Sequence, residues 1–584
     1  MGAFFLSSER YDTSRLRDIF AKKGFAEPTI LTTSAGKVLL YRKQLLNESN
    51  FKRFADGLVF SVGAVFYEGL PYKESLALIY ERYVEGRLDA SKLIGNYFIY
   101  LEHDGRCVFL TDKGGIQNVF FHLETGIISS SFLAVLTALG EAQGRQLLNL
   151  HACREIITTG SLIGPDTLIN GIERFERTFH GGLPGIPSME RKAETATIAK
   201  RASEFSKEVE NQIEGLRAYF RTMHSVFDHY GVLTGLTGGF DSRLLYLLLR
   251  NSVCNYQVYS TYRDRPSREF SCAKILAEEA GDVLLSPRHI SPEKMEQDEL
   301  MVNLRDNFYF NDGLIRTHQL WLEEIKGRRY LKKLYRSNRI GFSGVGGEQY
   351  RNGQSLMQES YSFVPWVRYE LVHRISGESI VHPDVRQAFY FKLQEKIAIL
   401  LGLGSNVRRI STLQIKRYYN EIWNPANRTI RNNVENQMAF FISPFTDPCI
   451  SRTAYAAVPY LGYGPEFEQE MIRRVAPHLA HCRTDYGFAP AECTPSRFKY
   501  LAYLKSTIGL SAYNRLYRVR KKSGGAFLNS LLSRHPALGK YIEATRSLDA
   551  QLNMKELKSN DFLSPLLVET GFFLIEMGPY IRYA

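Results

Sequence analysis

The chain has 584 residues, of which 44% are hydrophobic, 23% charged and 12% aromatic. This length predicts two domains or more, and the composition excludes collagen, coiled coils, disordered chains and small disulfide scaffolds. Lys and Arg number 74 against 61 Asp and Glu, a formal charge of +13 that suits anionic ligands such as phosphates. The 7 cysteines are scattered and no apolar run reaches membrane-spanning length, so we expect a cytoplasmic protein with no membrane partner.

The first part of the chain has the pattern of a mainly antiparallel α+β domain. Short runs rich in Val, Phe, Ile and Tyr, broken by Gly or Asp turns, predict strands. The predicted strands are Gly57–Tyr67, Tyr97–Leu101, Cys107–Thr111 and Asn118–His122, and a helix is predicted at Tyr72–Glu85. Gly and Pro punctuate the stretch Gly181–Ser188, which predicts a linker between domains at 1–185 and 200–584.

Beyond the linker the hydrophobic spacing changes. Eight apolar residues between Ala202 and Phe227 recur at intervals of three and four, which is typical of one helix face. Strands and helices then alternate, in the order Gly231–Leu236, Ser242–Arg250, Asn255–Tyr262 and Arg268–Ala280. This alternation predicts a parallel sheet with crossover helices, and from about residue 355 the pattern is mostly helical.

The segment Leu236-Thr-Gly-Gly-Phe-Asp-Ser-Arg243 lies where a predicted strand ends and a helix begins. Parallel α/β sheets bind their ligands at such places. Adjacent glycines let the main chain approach a phosphate, and the free N–H groups of the helix favour the anion. Thr237 and Ser242 add hydroxyl groups, while Asp241 can hold Mg²⁺ against the phosphates. The structural alternative is a glycine turn followed by an Asp or Ser helix cap.

This loop resembles the SGGxDS loop of the ATP-pyrophosphatase ligases and, more narrowly, of the asparagine synthetase family. That family has a second signature near SG[DE]G[GA]DE, which Ser343-Gly-Val-Gly-Gly-Glu-Gln349 matches in degenerate form. Further similar segments are Leu93–Phe98, Thr111–Gly115, Gly164–Ile169, Pro444–Asp447 and Tyr486–Phe488. The resemblance implies an α+β glutaminase-like (Ntn-type) sandwich, followed by an α/β parallel-sheet ATP-pyrophosphatase (adenine nucleotide α-hydrolase-like) domain with a large helical C-terminal extension.

The N-terminal residue departs from the family pattern. Family glutaminases use a cysteine that removal of Met1 exposes, because its thiolate attacks the glutamine amide. Here Gly2 stands in that place, and the nearest cysteine is Cys107, within a predicted strand. We therefore expect the glutaminase-like domain to be catalytically inactive.

The ligase motifs depart from the pattern as well. Val345 replaces an acidic residue and Glu348 replaces the Asp, so the general base for the attacking amine must come from elsewhere. The lysine that usually precedes the late GF element is missing. Arg483, Lys499 and Lys505 are the candidates for its charge.

The resemblance implies a ligase that uses ATP and Mg²⁺ to activate a carboxylate as an acyl-adenylate, with release of pyrophosphate and formation of an amide. The implied nucleotide-binding residues are Leu236, Thr237, Gly238, Gly239, Asp241, Ser242, Arg243, Ser343, Gly344 and Arg351. The implied magnesium ligands are Asp241 and Glu348, and the implied catalytic residues are Arg483 and Lys499.

The substrates stay open. The acid is a small molecule or a peptide, and the amine is ammonia or part of the substrate, as in relatives that close β-lactam or lasso-peptide rings. An ammonia-dependent asparagine synthetase, a tRNA-modifying adenylating enzyme and a non-catalytic ATP-binding protein are the alternatives. We favour no nucleic-acid partner, because tRNA-modifying relatives lack the glutaminase-like half, and a homodimer is compatible with the sequence.

Overall fold

The computed structural model describes residues 2–8, 11–46, 48–112, 114–175, 204–262, 266–315, 321–335, 339–373, 380–404, 406–520, 526–548, 552–558, 560 and 563–583. The predicted linker Gly181–Ser188 lies outside these ranges. Within them the chain is a mixed α/β protein, with antiparallel sheets first, then a five-stranded parallel sheet with helices, then a mostly helical region. The fold prediction is confirmed at this level.

The N-terminal region contains eleven strands and four helices within the described ranges. The strands are β1 (Ala3–Ser7), β2 (Thr29–Thr33), β3 (Gly36–Tyr41), β4 (Phe51–Arg53), β5 (Gly57–Tyr67), β6 (Leu93–His103), β7 (Arg106–Thr111), β8 (Phe120–His122), β9 (Ile127–Ser129), β10 (Gln146–Leu147) and β11 (Ile172–Arg174). The helices are α1 (Thr13–Lys22), α2 (Tyr72–Val84), α3 (Phe132–Gln143) and α4 (Leu150–Thr159). The predicted strand Gly57–Tyr67 has the observed bounds of β5.

Ten of these strands form two antiparallel sheets that pack face to face. The order is β11-β8-β9-β1-β3-β2 in one sheet and β4-β5-β6-β7 in the other. Alternate apolar side chains of the two sheets meet in a shared core, where the rings of Phe4 and Phe98 stack with centroids 4.5 Å apart. The β-branched and aromatic residues that predicted these strands therefore fill the space between the sheets.

The second region begins with the predicted helix and the alternating elements. These are α5 (Phe205–Thr222), α6 (His224–Tyr230), β12 (Val232–Gly235), α7 (Asp241–Arg250), β13 (Tyr256–Tyr259), α8 (Arg268–Glu279), β14 (Leu284–Leu285), α9 (Gln297–Phe310), α10 (Arg328–Leu334) and β15 (Ile340–Phe342). The helix face predicted from Ala202 to Phe227 is divided at Met223 between α5 and α6, and Ala202 lies outside the described residues. The other predicted elements are present, with bounds that differ by a few residues at the ends.

The remainder is mostly helical, as predicted, with short strands between the helices. The elements are β16 (Ser360–Ser362), α11 (Phe363–Trp366), α12 (Pro383–Leu400), β17 (Arg409–Ser411), α13 (Thr412–Arg417), α14 (Asn424–Ala426), α15 (Ile430–Asn436), β18 (Phe441–Ile442), α16 (Pro448–Ser451), α17 (Glu466–Val475), α18 (Ser496–Arg520, interrupted at Gly509), α19 (Ala526–Arg534), α20 (Gly539–Ala544), α21 (Met554–Lys558), α22 (Ser564–Glu576) and β19 (Ile581–Arg582). Two π-helical segments lie at Val367–His373 and Tyr418–Trp423.

The parallel sheet has the strand order β14-β13-β12-β15-β18. The chain leaves β12 toward β13 and β14 on one side, then returns to β15 on the other, and all four pairings are parallel. The order of strands therefore reverses between β12 and β15. In open parallel sheets this reversal leaves a crevice at the carboxyl ends of the two strands.

The apolar core joins the two regions. Val65 of β5 belongs to the same buried cluster as Leu244 of α7 and Phe342 of β15. A second cluster combines Leu133 of α3 with Phe573 of α22. The last strand, β19, also returns to pair with β10 of the N-terminal region.

Candidate functional site at the loop junction

Two glycine-rich loops meet where the strand order of the parallel sheet reverses. The first, residues 236–240, follows β12, and the second, residues 343–350, follows β15. Because β12 and β15 are neighbouring parallel strands, both loops leave the same edge of the sheet. We call the place where they touch the loop junction.

The first loop is braced by its own hydroxyl groups. The Thr237 N–H donates to Oγ of Ser242 at 3.0 Å, and the Oγ atoms of these two residues lie 2.8 Å apart. Helix α7 starts at Asp241 without a side-chain cap. The N–H groups of its first turn are therefore not satisfied by a capping side chain, which suits an anion.

The two glycines of this loop face different surroundings. A Cβ atom at Gly238 would lie 2.8 Å from Cβ of Asp485 and 2.9 Å from Cα of Glu269, so that position has no room for a side chain. A Cβ atom at Gly239 would meet only Oγ1 of Thr237, at 3.7 Å. Gly238 thus permits close packing within the protein, whereas the main chain at Gly239 faces open space that a ligand can enter.

Glycines of the second loop bring it against the first. A Cβ atom at Gly344 would lie 2.8 Å from the carbonyl carbon of Asp241 and from the N atom of Ser242. At Gly347 it would lie 2.7 Å from Cβ of Asp241. Within the loop, the Val345 N–H donates to Oγ of Ser343 at 3.3 Å. The junction therefore depends on residues without side chains at these two positions.

Arg351 connects the loops by charge. Its Nη1 lies 2.5 Å from Oδ1 of Asp241 and its Nη2 lies 2.9 Å from Oδ2, a bidentate pair. Nη1 also lies 3.2 Å from Oε2 of Glu468, a fully buried residue of α17. Burial and the Asp241 carboxylate raise the pKa of Glu468 well above its usual value.

Glu348 has its own cationic partners. The Gly346 N–H donates to its Oε2 at 3.0 Å, and Nη1 of Arg428 lies 3.4 Å from its Oε1. Burial alone would raise the pKa of Glu348, but Arg428 and Arg351 outweigh it and lower the pKa below its usual value. Glu348 is thus held as a carboxylate by arginines.

Lys416 of α13 lies beneath the second loop and is 3% exposed. Its Nζ donates to the main-chain oxygen of Arg351 at 2.8 Å and to Oε1 of Gln354 at 3.0 Å. Burial, assisted by the charge of Arg351, lowers the pKa of this lysine to about 7. It therefore changes its charge near neutral pH while it holds the main chain at Arg351.

These contacts do not fit the expectation that Asp241 and Glu348 share a magnesium ion. Both carboxylate oxygens of Asp241 accept from Arg351, and a metal ion would have to displace this guanidinium. Across the part of the chain that the structure describes, the one group of three potential ligands within 4.8 Å is Asp56, His103 and Asp104, in the N-terminal region. The residues present accordingly do not form a site for a resident metal ion at the junction.

Two predicted nucleotide-binding residues, Arg243 and Leu236, are buried and form hydrogen bonds within the protein. The guanidinium of Arg243 is fully buried and donates to the carbonyl oxygens of Cys482 at 2.5 Å and Arg483 at 2.8 Å. It therefore anchors α7 to that segment. Leu236 is also buried, and its main-chain N–H donates to the oxygen of Tyr259 at 2.8 Å.

Of the candidate catalytic cations, Arg483 and Lys499 lie on the surface and Lys505 is buried. The side chain of Arg483 is 72% exposed and lies 3.9 Å from the Glu492 carboxylate. Lys499 is exposed, with its Nζ 5.6 Å from the centre of the Tyr463 ring. Lys505 is buried and pairs with Glu370 at 2.9 Å. None of these contacts brings the three ammonium or guanidinium groups to Asp241 or Glu348.

Sequence reasoning missed four residues of the site, Glu269, Lys416, Arg428 and Glu468. Glu468 sits in the run Glu466-Phe-Glu-Gln-Glu470, where nothing distinguishes it from its acidic neighbours. Glu269 lies in the first turn of α8, beside Gly238, and burial together with Asp485 raises its pKa. No motif marks any of the four, because each reaches the junction only through the folded arrangement of distant segments.

The expected glutaminase position is closed. Gly2 is buried, and a Cβ atom there would lie 2.4 Å from the carbonyl oxygen of Arg42. Cys107 lies on β7, in the predicted strand. The start of β1 thus offers neither a nucleophile nor the space for one.

Comparison with known proteins gives no family assignment: neither a protein-family model nor a curated protein sequence matches this chain. The likeness to the asparagine synthetase family consequently depends on short motifs. Within the described ranges, none of the helices combines the length and the apolar character that a membrane span requires.

Proposed function

We propose that this chain is an ATP-dependent ligase that binds ATP at the loop junction and joins a carboxylate to an amine. A carboxylate oxygen attacks the α-phosphorus of ATP, and pyrophosphate leaves. The amine then attacks the carbonyl carbon of the acyl-adenylate, loses a proton and expels AMP. The proposal includes a glutaminase-like sandwich without glutaminase activity, an ATP-pyrophosphatase type of parallel-sheet domain, and a cytoplasmic location.

The observation that carries this proposal is the placement of the two motif loops. Their sequences are separated by about a hundred residues, yet they touch at the crevice where parallel sheets bind ligands. The space beside Gly239 is open, and the uncapped start of α7 provides N–H groups for a triphosphate. The Gly239 N–H and the Ser242 hydroxyl both contact Oγ1 of Thr237, an exposed residue at the same edge.

The chain's own residues suit the first step better than the second. Close packing at Gly238 and Gly344 holds the two loops in place, so that the main chain at Gly239 is preorganised for the nucleotide. In the second step the amine needs a proton acceptor, and Val345 has no group that can accept one. An amine carried by the substrate itself compensates through proximity, so we favour it over free ammonia. Magnesium enters this account as the counter-ion of ATP.

ATP–pyrophosphate exchange tests the proposal. Wild-type protein is incubated with ATP, Mg²⁺, labelled pyrophosphate and a panel of amino acids and peptides. Exchange that depends on one class of acid, and that is lost in Gly344→Ala but kept in Gly353→Ala, would support adenylation at the junction. A Cβ atom at Gly353 would meet nothing within 4 Å, which makes it a matched control.

A non-catalytic ATP-binding protein is the second candidate, and the Arg351–Asp241 pair favours it. An acidic group that is already neutralised within the protein cannot serve as a free metal ligand during phosphoryl chemistry. ATP binding with no exchange for any acid would select this candidate. RNA binding that weakens steeply with salt would instead point to the tRNA-modifying alternative.

A further inference from the structure

Arg351 is the charged residue that joins the two loops at the junction. Its guanidinium forms two hydrogen bonds with the Asp241 carboxylate, at 2.5 and 2.9 Å. The side chains of Arg351 and Asp241 are only 15% and 21% exposed. Because this ion pair is largely removed from water, replacing either residue should destabilise the protein, since the other charge is left buried without a partner.

A second acidic group converges on the same guanidinium. Oε2 of Glu468 lies 3.2 Å from Nη1 of Arg351, and this glutamate is completely buried. Its Oε1 has no hydrogen-bond partner among the residues that the structure describes. One cation therefore contacts two acidic side chains that lie against each other, and burial together with the adjacent Asp241 carboxylate raises the pKa of Glu468.

The main chain fixes Arg351 in this position. Lys416 donates to its carbonyl oxygen at 2.8 Å. The next residue, Asn352, donates through its N–H to the oxygen of Gly464 at 2.8 Å and through Nδ2 to the oxygen of Gly462 at 2.9 Å. Gly464 and Gly462 immediately precede α17, the helix that carries Glu468. The same contacts thus set the distance between the guanidinium and both acids.

We propose that Arg351 is a built-in cation that takes the place of a bound metal ion at the loop junction and holds the two loops together. Its single charge balances the Asp241 carboxylate, and Glu468 contacts the same guanidinium, so the nucleotide-free protein has no need of a metal ion there. This inference goes beyond the proposed function and does not rest on it, because the ion pair exists without nucleotide or substrate.

Nucleotide-free, full-length protein tests the proposal, with Mn²⁺ as the spectroscopic probe. We expect the thermal midpoint of wild-type protein to be the same in Mn²⁺ and in EDTA. Arg351→Leu should lower the midpoint by several degrees, because two acids lose their shared cation. Added Mn²⁺ should recover part of that loss, since the freed carboxylates can now bind it.

Arg217→Leu is the matched control. Arg217 also pairs with a carboxylate, that of Glu214 at 2.7 Å, but their side chains are 37% and 48% exposed. Its loss should change the midpoint little, and Mn²⁺ should have no effect. Equal midpoints for Arg351→Leu and Arg217→Leu would overturn the proposal.

Mn²⁺ titration of the wild-type protein is a second test, with Asp241→Asn as its control. Electron paramagnetic resonance that detects one Mn²⁺ per nucleotide-free chain, lost in Asp241→Asn, would show a metal site and overturn the proposal. A Mn²⁺ signal that is unchanged in Asp241→Asn would come from another part of the protein and would agree with the proposal. If Arg351→Leu does not fold, Arg351→Lys is used instead, because it keeps the charge but loses the bidentate contact. Its thermal midpoint should fall less, and Mn²⁺ should not reverse that fall. A failure to bind ATP would count against the proposed function and would leave these nucleotide-free results unchanged.

Discussion

Glycine stands at both places that the family resemblance singles out: the start of β1, where Gly2 led us to expect no activity, and the loop junction, where we expected ATP to bind. At Gly2 a Cβ atom would lie 2.4 Å from a main-chain oxygen of the neighbouring segment. At the junction Gly238, Gly344 and Gly347 are also crowded, with nearest atoms at 2.7–2.8 Å, but Gly239 faces open space. A side chain therefore has no room at Gly2, whereas the junction keeps one half-buried glycine with room beside it.

This difference separates two uses of glycine. Just before β1 the absent side chain lets Gly2 lie against the main chain of Tyr41 and Arg42. At the junction, absent side chains allow the two loops to touch, and Gly239 is left beside open space. Glycine therefore serves packing alone at the first place and leaves room beside the main chain at the second.

The largest effect should come from separating the loops. In Gly344→Ala the added Cβ atom would press on the main chain at Asp241 and Ser242, 2.8 Å away, and neither can move aside as a flexible side chain would. We expect loss of ATP binding and a fall in stability of roughly 1–3 kcal/mol, the usual cost of overpacking. Calorimetric ATP titration and thermal unfolding measure the two effects. Gly353→Ala should resemble wild type, and equal behaviour of both variants would show that the loops do not form one site.

Gly2→Cys tests the closed side of the comparison. The cysteine has no space, so we expect destabilisation of roughly 1–3 kcal/mol and no glutamate release from glutamine, with or without ATP. Gly215→Cys on α5 is the control, because that exposed glycine has open space around it. Glutaminase activity in Gly2→Cys would contradict this account. It would mean that the start of β1 has room for a cysteine in solution and that Gly2 is the sole reason for the lack of activity.

Gly239→Ala tests the open side. Because the new methyl group meets only Thr237 Oγ1 at 3.7 Å, stability should stay within about 0.5 kcal/mol of wild type. A triphosphate against the main chain would meet that methyl group, so the ATP dissociation constant should rise about tenfold, or about 1.4 kcal/mol. Gly238→Ala, in the crowded position, should lose stability instead. An unchanged dissociation constant in Gly239→Ala would place the nucleotide elsewhere.

We expect Lys416 to have a smaller, pH-dependent effect on the free energy of unfolding. Its pKa is lowered to about 7 by burial, whereas the unfolded chain keeps the usual value near 10.5. Between these values the unfolded state binds more protons, so this lysine makes stability rise with pH from about 7 to about 10, by at most about 1.4 kcal/mol per unit. The difference in unfolding free energy between wild type and Lys416→Met, measured at pH 7, 8 and 9, should follow that rise. A constant difference would mean that Lys416 does not titrate in this range.

Local sequence patterns predicted the elements well because each element buries a periodic face. The run Gly57–Tyr67 is rich in apolar and aromatic residues that a central strand buries on both sides, and its bounds matched β5. The strand-loop-helix order around Gly238 and Gly239 likewise follows from local signals. In the C-terminal region the short strands β16, β17 and β18 were missed, since two or three residues carry no detectable period.

The charges of the site could not be predicted in the same way. Arg351 was expected to bind the nucleotide, and in the structure it pairs with the carboxylate of Asp241 in the same chain. The choice between these partners depends on Glu468 and Lys416, which come from helices α17 and α13. Their approach is set by tertiary packing, which no spacing within either loop encodes.

The central claim, that ATP binds at the loop junction, is tested most directly by a crystal structure of the protein with a non-hydrolysable ATP analogue and Mn²⁺. We predict a triphosphate against Gly239 and the first turn of α7, an anomalous manganese peak on the phosphates, and Arg351 still paired with Asp241. A nucleotide bound away from both loops would contradict the claim. A manganese peak between Asp241 and Glu348, with Arg351 displaced, would keep the nucleotide site and contradict the built-in cation.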